Sequence, residues 1–239
     1  MALARVQQDI LYSPVPRTTI QDQVLGKLRE LILNGGIEPG RTVTVQSLAE
    51  AFGVSAMPVR EAMQRLVAEK ALTVVAGRSI GIQHLTVERL EDLRRVRVEI
   101  EGTAIKWAAQ LISPDDLVRL ESLIEEMELA WAANDRTRYI PANRDFHFTI
   151  YRAAASDALL TIIESLWLQI GPYINFLTAS NNWEASAVEH RAMYNALKRR
   201  DQTAARRALQ ADIDGAASAL ARVLTVAKPQ GKTRSRRAG

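Results

Sequence analysis

Between residues 47 and 82 the spacing of apolar residues changes period in an order that few folds accept. Ser47 to Phe52 is helical, Gly53-Val54 is a turn, and a second helical pattern runs from about Ala56 to Lys70. Leu72-Thr73-Val74-Val75, Ala76-Gly77-Arg78 and Ser79-Ile80-Gly81-Ile82 then read as the strand, tip and strand of a β-hairpin. Upstream, Ile20, Val24, Leu28, Leu31 and Ile32 recur at helical spacing until Asn34-Gly35-Gly36 stops them. Glu38-Pro39-Gly40 makes a turn, and Val43-Thr44-Val45 is long enough for one short strand. Helix, helix, turn, helix, hairpin is the order of a winged helix-turn-helix, placed here at 17–84.

After Thr86 no strand pattern recurs, and 86–227 reads as an all-helical bundle with short loops. Ser113-Pro114-Asp115-Asp116 marks one helix start, with serine as cap, proline in the first turn and acids at the positive helix end. Asp157 and Asp201 read as further caps. The fold class is therefore mainly α, with a small β-hairpin wing. A composition that is 47% hydrophobic but 5% aromatic, rich in alanine and leucine, agrees with it. The absence of cysteine excludes disulfides and thiolate metal sites, and points to a reducing cytoplasm. Residues 1–16 read as a flexible arm without an export signal, and no apolar run reaches the roughly 18 residues of a membrane span. Net charge is +4, and the last twelve residues, 228–239, carry five of the basic groups and no acid, as a solvated tail would.

The second helix of the motif has two faces. Val59, Ala62, Met63, Leu66 and Val67 form an apolar stripe, whereas Ser55, Ala56, Arg60 and Gln64 lie elsewhere. A recognition helix enters the major groove N-terminus first, which places Ser55, Met57 and Arg60 at DNA, with Pro58 harmless in the first turn. Arginine grips guanine edges bidentately, and Ser55 with the helix N–H groups suits phosphate. Periodicity alone describes an ordinary amphipathic surface helix equally well. The run from Ile37-Glu38-Pro39-Gly40 through SLAEAFGVSAMPVREAMQRL to Ala76-Gly77-Arg78, however, resembles the DNA-binding domain of the GntR family over about seventy residues in one register. The resemblance implies DNA contacts from Ser55, Met57, Pro58 and Arg60, with Gly77 and Arg78 at the wing tip. Gln46 stands where many relatives place a phosphate-binding arginine, and Ala56 replaces another arginine usual in the family.

Polar residues interrupt the apolar stripes of the bundle. Asn143 and His147 share a stripe with Ile140, Ile150 and Tyr151; His190 lies with Ala187, Met193 and Tyr194; Asp212 lies with Ala208, Leu209 and Ala216. A lone buried aspartate is costly unless paired with a cation or metal. Two histidines, an amide and a carboxylate converging in a bundle make a divalent metal site, or else a hydrogen-bonded core cluster. NRDFHFTIYRAA, Glu189-His190-Arg191 and Asp212 together resemble the ligand-binding domain of the FadR branch of the same family. That resemblance implies a metal held by Asn143, His147, His190 and Asp212, although relatives carry aspartate at the first position and histidine at the last. Zinc, nickel or manganese suits two nitrogens and two oxygens.

Arg97 shares a stripe with Leu93, Ile100 and Ala104, so its guanidinium faces either a carboxylate ligand or an internal acid such as Asp212 or Glu101. Trp167, Gln169, Tyr173 and Asn175 are candidates for lining the same cavity, and Trp167 and Tyr173 also suit plain core packing. The reading that results is a ligand-responsive, sequence-specific regulator, a repressor released by a small organic acid. Its partners are a duplex operator and, by resemblance, a second copy of itself. A DNA-binding protein whose helical domain only dimerises is the alternative. A metal-dependent hydrolase is the other rival, but the sequence contains no HExxH pattern and no distinct general base.

Overall fold

The computed structural model describes residues 19–76, 79–177 and 183–226. Helix α1 (Ile20–Leu33) starts at a capping box in which Thr19 and Asp22 satisfy each other's backbone N–H groups. Strand β1 (Thr42–Thr44) runs directly into α2 (Val45–Phe52), because Thr44 caps the helix through Ser47. Val45 is therefore the first helical residue, not part of the strand as its β-branched neighbours suggest. Gly53 closes α2 in the left-handed conformation, at φ 65°, which a side chain would oppose. Helix α3 (Ala56–Ala68) follows, then β2 (Leu72–Ala76) and β3 (Ser79–Ile82).

The wing is more than a hairpin. The three strands form one antiparallel sheet in the order β1-β3-β2, with Val43 opposite Ile80 and Leu72 opposite Ile82. A bulge between Val74 and Ala76 interrupts the β2–β3 register. A Cβ on Gly81 would stand 2.7 Å from the Arg41 carbonyl oxygen, so glycine is needed where β3 passes the entry to β1.

The second half consists of α4 (Val87–Leu111), α5 (Pro114–Ala132), α6 (Arg136–Ala153), α7 (Asp157–Leu177), α8 (Trp183–Lys198) and α9 (Gln202–Val226). Ser113 and Asp116 form the expected capping box, and Asp201 accepts from the Ala204 N–H. At α7 the cap is Ser156, whose hydroxyl accepts from Leu159 N–H; Asp157 sits inside the first turn. Ile105, Leu120, Phe146, Ile150, Leu197 and Leu209 centre the bundle core, each essentially without solvent contact.

The DNA-binding half packs on helix α7. Leu33 lies against Gly171, and Arg29 reaches Glu164 at 3.5 Å. Tyr173 donates to the Gln83 carbonyl at 2.7 Å and accepts from the Leu85 N–H at 2.9 Å, gripping the link between β3 and α4. The second apolar cluster is continuous across this junction, joining Leu28, Ile32 and Leu66 to Leu90, Leu93, Ile170 and Leu220. Residues 1–16 and 228–239 lie outside the described residues. No helix among the described residues is long and apolar enough to cross a membrane.

Candidate functional site

Helix α3 buries Val59, Ala62, Met63 and Leu66, largely against α1, which fixes its orientation. Its other side is open. Met57 is 60% exposed, and Ser55, Arg60 and Gln64 are exposed beside it, with Pro58 half-buried in the first turn. Ser55 stands at the N-cap without a side-chain cap bond, so its hydroxyl and the first-turn N–H groups face outward at the positive helix end. Gln46 is exposed on α2, and Ala56 is half-buried. Arg65 pairs with Glu69 at 3.3 Å and Arg29 pairs with the same carboxylate at 2.9 Å, whereas Arg60 forms no ion pair among the described residues. Gly77 and Arg78 lie outside the described residues.

In the bundle, helices α6, α8 and α9 bring His147, His190 and Asp212 together, with donor atoms all within 4.8 Å of one another. His147 Nε2 lies 3.4 Å from Asp212 Oδ2, and His190 Nε2 lies 3.6 Å from Asp212 Oδ1. The two contacts run to different oxygens of Asp212, and each is close to the edge of about 3.4 Å between donors about 2.1 Å from a tetrahedral centre. Asn143 is buried one helical turn before His147 on α6. Ser186, which sequence reasoning overlooked, donates to Asp212 Oδ1 at 2.9 Å and lies 3.3 Å from His190 Nε2. Its only sequence signal is its position four residues before His190.

The proton inventory around His147 also fits. Tyr151 gives its single hydroxyl proton to Glu101 Oε2 at 2.5 Å, and its oxygen lies 3.3 Å from His147 Nδ1. A carboxylate can only accept, so Nδ1 is the donor to Tyr151 and carries the ring proton. That leaves a bare lone pair on Nε2, facing the Asp212 carboxylate. A proton or a metal ion is what a lone pair and a carboxylate oxygen 3.4 Å apart can share.

Arg97 takes the internal-acid alternative. Glu101, four residues on and fully buried, accepts from Arg97 Nε at 2.6 Å and from Trp167 Nε1 at 3.3 Å. Burial alone would lower the Arg97 pKa, but the Glu101 carboxylate outweighs it and holds the guanidinium above its ordinary value. Trp167 therefore belongs to this buried network. Gln169 and Tyr173 do not. Gln169 accepts from Arg89 at 2.5 Å, and Tyr173 bonds to Gln83 and Leu85, so both serve the junction with the DNA-binding half. The reason is angular: residues two and six positions beyond Trp167 on α7 point away from the direction it takes. The Asn175 side chain lies outside the described residues.

Two family models match the chain. Residues 20–82 match the bacterial regulatory proteins of the gntR family, and residues 92–215 match the FCD domain. The chain is 32% identical to the HTH-type transcriptional regulator McbR of Escherichia coli over 191 residues, covering 78% of this chain and 86% of that protein. It belongs to the GntR family. The solved structure of E. coli McbR/YncC superposes with a TM-score of 0.81 at 28% identity, over 87% of this chain and 99% of that one. The HTH-type transcriptional repressor RspR of E. coli is 23% identical over 196 residues, covering 81% of this chain and 86% of its own. This GntR-family chain is a transcription regulator with an FCD ligand-binding domain, and the relatives it matches are regulators rather than enzymes.

Burial pushes the His147 imidazole of this GntR-family regulator down to about 3, despite the opposing pull of Asp212, and lowers His190 for the same reason. The unfolded chain takes up a proton on His147 near pH 6.5 that the folded chain refuses until about pH 3. Stability is therefore fully present above the unfolded value and falls as pH drops through that window. From pH 7 to pH 5 the metal-free protein is expected to lose about 2 kcal/mol through His147. Thermal melts with chelator present check this, and a melting temperature that holds or rises toward pH 5 would contradict it.

Proposed function

We propose that this regulator is a homodimeric, metal-dependent repressor that reads an operator with α3 and leaves it when a ligand occupies the helical bundle. Gln46, Ser55, Met57, Pro58, Arg60 and Gln64 contact DNA from the head at 17–84, with Gly77 and Arg78 completing the contact at the wing. The half at 86–227 senses the ligand and holds the two copies together, and a cytoplasmic location follows from the DNA partner. The observation that carries this reading is the role of α7. One helix places Trp167 in the buried Arg97–Glu101 network and Tyr173 on the link to the DNA-binding head. A ligand that favours one position of α7 therefore favours one position of the head, to the extent of its differential affinity.

His147, His190 and Asp212 would hold a divalent ion such as zinc, nickel or manganese, with Asn143 adding a neutral oxygen. Such an ion would offer a Lewis-acidic point for an oxygen of the ligand. Glu101 keeps the Arg97 guanidinium occupied, so an organic acid would have to reach the metal rather than Arg97. The repressor reading is supported by the name of its relative RspR.

Selection from random duplexes tests the operator reading. A two-fold symmetric sequence with half-sites about 10 base pairs apart, or a multiple of that, is expected. Failure to enrich any motif would remove the proposal. Elemental analysis of protein purified without chelator or nickel resin is expected to find close to one divalent ion per chain, and a negligible fraction would remove the metal.

A further inference from the structure

Beside the histidine–carboxylate cluster, helices α5, α6 and α8 line a cavity of about 210 Å³ that opens to solvent beside Glu128. Ile124, Met127, Trp131 and Ala187 supply its apolar wall, and Tyr139, His190 and Glu128 are the polar residues on it. A lined, dry cavity of about 150 Å³ suffices for benzene, so this one accommodates a single ring with short substituents. No lysine or arginine is among the described residues that line it. Glu128 is exposed and paired with Arg191 at 2.7 Å. A carboxylate packed against that wall would find no cation among the lining residues and would lie near the Glu128 carboxylate, so its desolvation would go uncompensated by an ion pair. An uncharged ring loses nothing of the kind, and gains the burial of its apolar surface. Of the three cluster residues only His190 touches the cavity; His147 and Asp212 do not line it.

We propose that this cavity binds a neutral, predominantly apolar small molecule of one substituted ring, at a site separate from the metal-ligating face of the cluster. The inference rests on the reading of the bundle as the sensing half, and it adds an uncharged ligand class beside the metal-directed ligand proposed above. The occupant packs on His190 from the side and reaches the regulator through that ring, without coordinating the ion.

The test uses the full-length protein with para-cresol and benzoate as matched neutral and anionic probes, each titrated with chelator and again with zinc. Tryptophan fluorescence, to which the wall residue Trp131 contributes, and the melting temperature are the readouts. Para-cresol is expected to saturate under both conditions, with benzoate at least about tenfold weaker. Ala187→Leu and Met127→Phe fill the cavity from different helices, and each is expected to weaken para-cresol by about tenfold or more. Should neither variant fold, Met127→Ala enlarges the cavity instead, and is expected to shift preference toward para-tert-butylphenol. Benzoate binding as tightly as para-cresol, undiminished para-cresol binding in the filled variants, a strict zinc requirement, or no saturation up to millimolar concentration would each overturn the proposal. Operator binding is measured without any probe, so its failure would count against the regulator reading and leave the cavity result standing.

Discussion

Glu101→Ala is expected to destabilise the protein by about 3–5 kcal/mol, a large share of the stability of an ordinary domain. The carboxylate is fully buried and receives Arg97, the Tyr151 hydroxyl and the Trp167 indole N–H. Removing it leaves a buried cation with no counter-charge and strands two further donors. The cost lies in what is left behind rather than in the strength of the pair. Changing both partners together, as in Arg97→Met with Glu101→Leu, is therefore expected to recover the part of the loss owed to the unpaired guanidinium, while Tyr151 and Trp167 still lack their acceptor. Urea denaturation of the wild type, both single variants and the double variant makes the comparison. If Glu101→Ala unfolds at the same midpoint as the wild type, the network is not a structural ion pair. The Arg97 site would then be open to an external acid after all.

Arg60→Ala is expected to reduce specific operator binding by about 1–3 kcal/mol per half-site, the range of one bidentate arginine–guanine contact. Both half-sites of a symmetric operator lose it, and the total of about 2–6 kcal/mol brings specific binding close to the non-specific level. Stability should not change, because Arg60 is exposed and forms no ion pair among the described residues. Fluorescence anisotropy at fixed salt, with the selected operator and a scrambled duplex, separates the two outcomes. Equal loss on both duplexes would make Arg60 a phosphate contact, and unchanged affinity on both would remove it from the interface. The neighbouring Arg65 is a useful control, since its pairing with Glu69 holds it away from such a role.

Much of this protein was legible in its residues taken a few at a time. The helical periods, the Ser113–Asp116 cap and the order of elements through Ile82 depend on neighbours within a turn or two, so local sequence carries them. Ser156 rather than Asp157 caps α7: both residue types are good caps, and only the position of the first helical hydrogen bond distinguishes them. His147, His190 and Asp212 could be singled out because a polar group on an apolar stripe has to be accounted for.

The sequence by itself pointed to the buried faces of α1, α3, α4, α6, α8 and α9, because the sign of each side chain's transfer from water is its own property. Partners were another matter. Whether Arg97 faced an external acid or Glu101, whether Gln169 and Tyr173 served the cavity or the junction, and whether β1 would join the hairpin all depended on packing between elements distant in the chain. Periodicity fixes the direction of a side chain about its own helix axis, but the crossing of two helices decides what stands opposite it. That crossing is a property of many residues at once, and only the tertiary structure contains it.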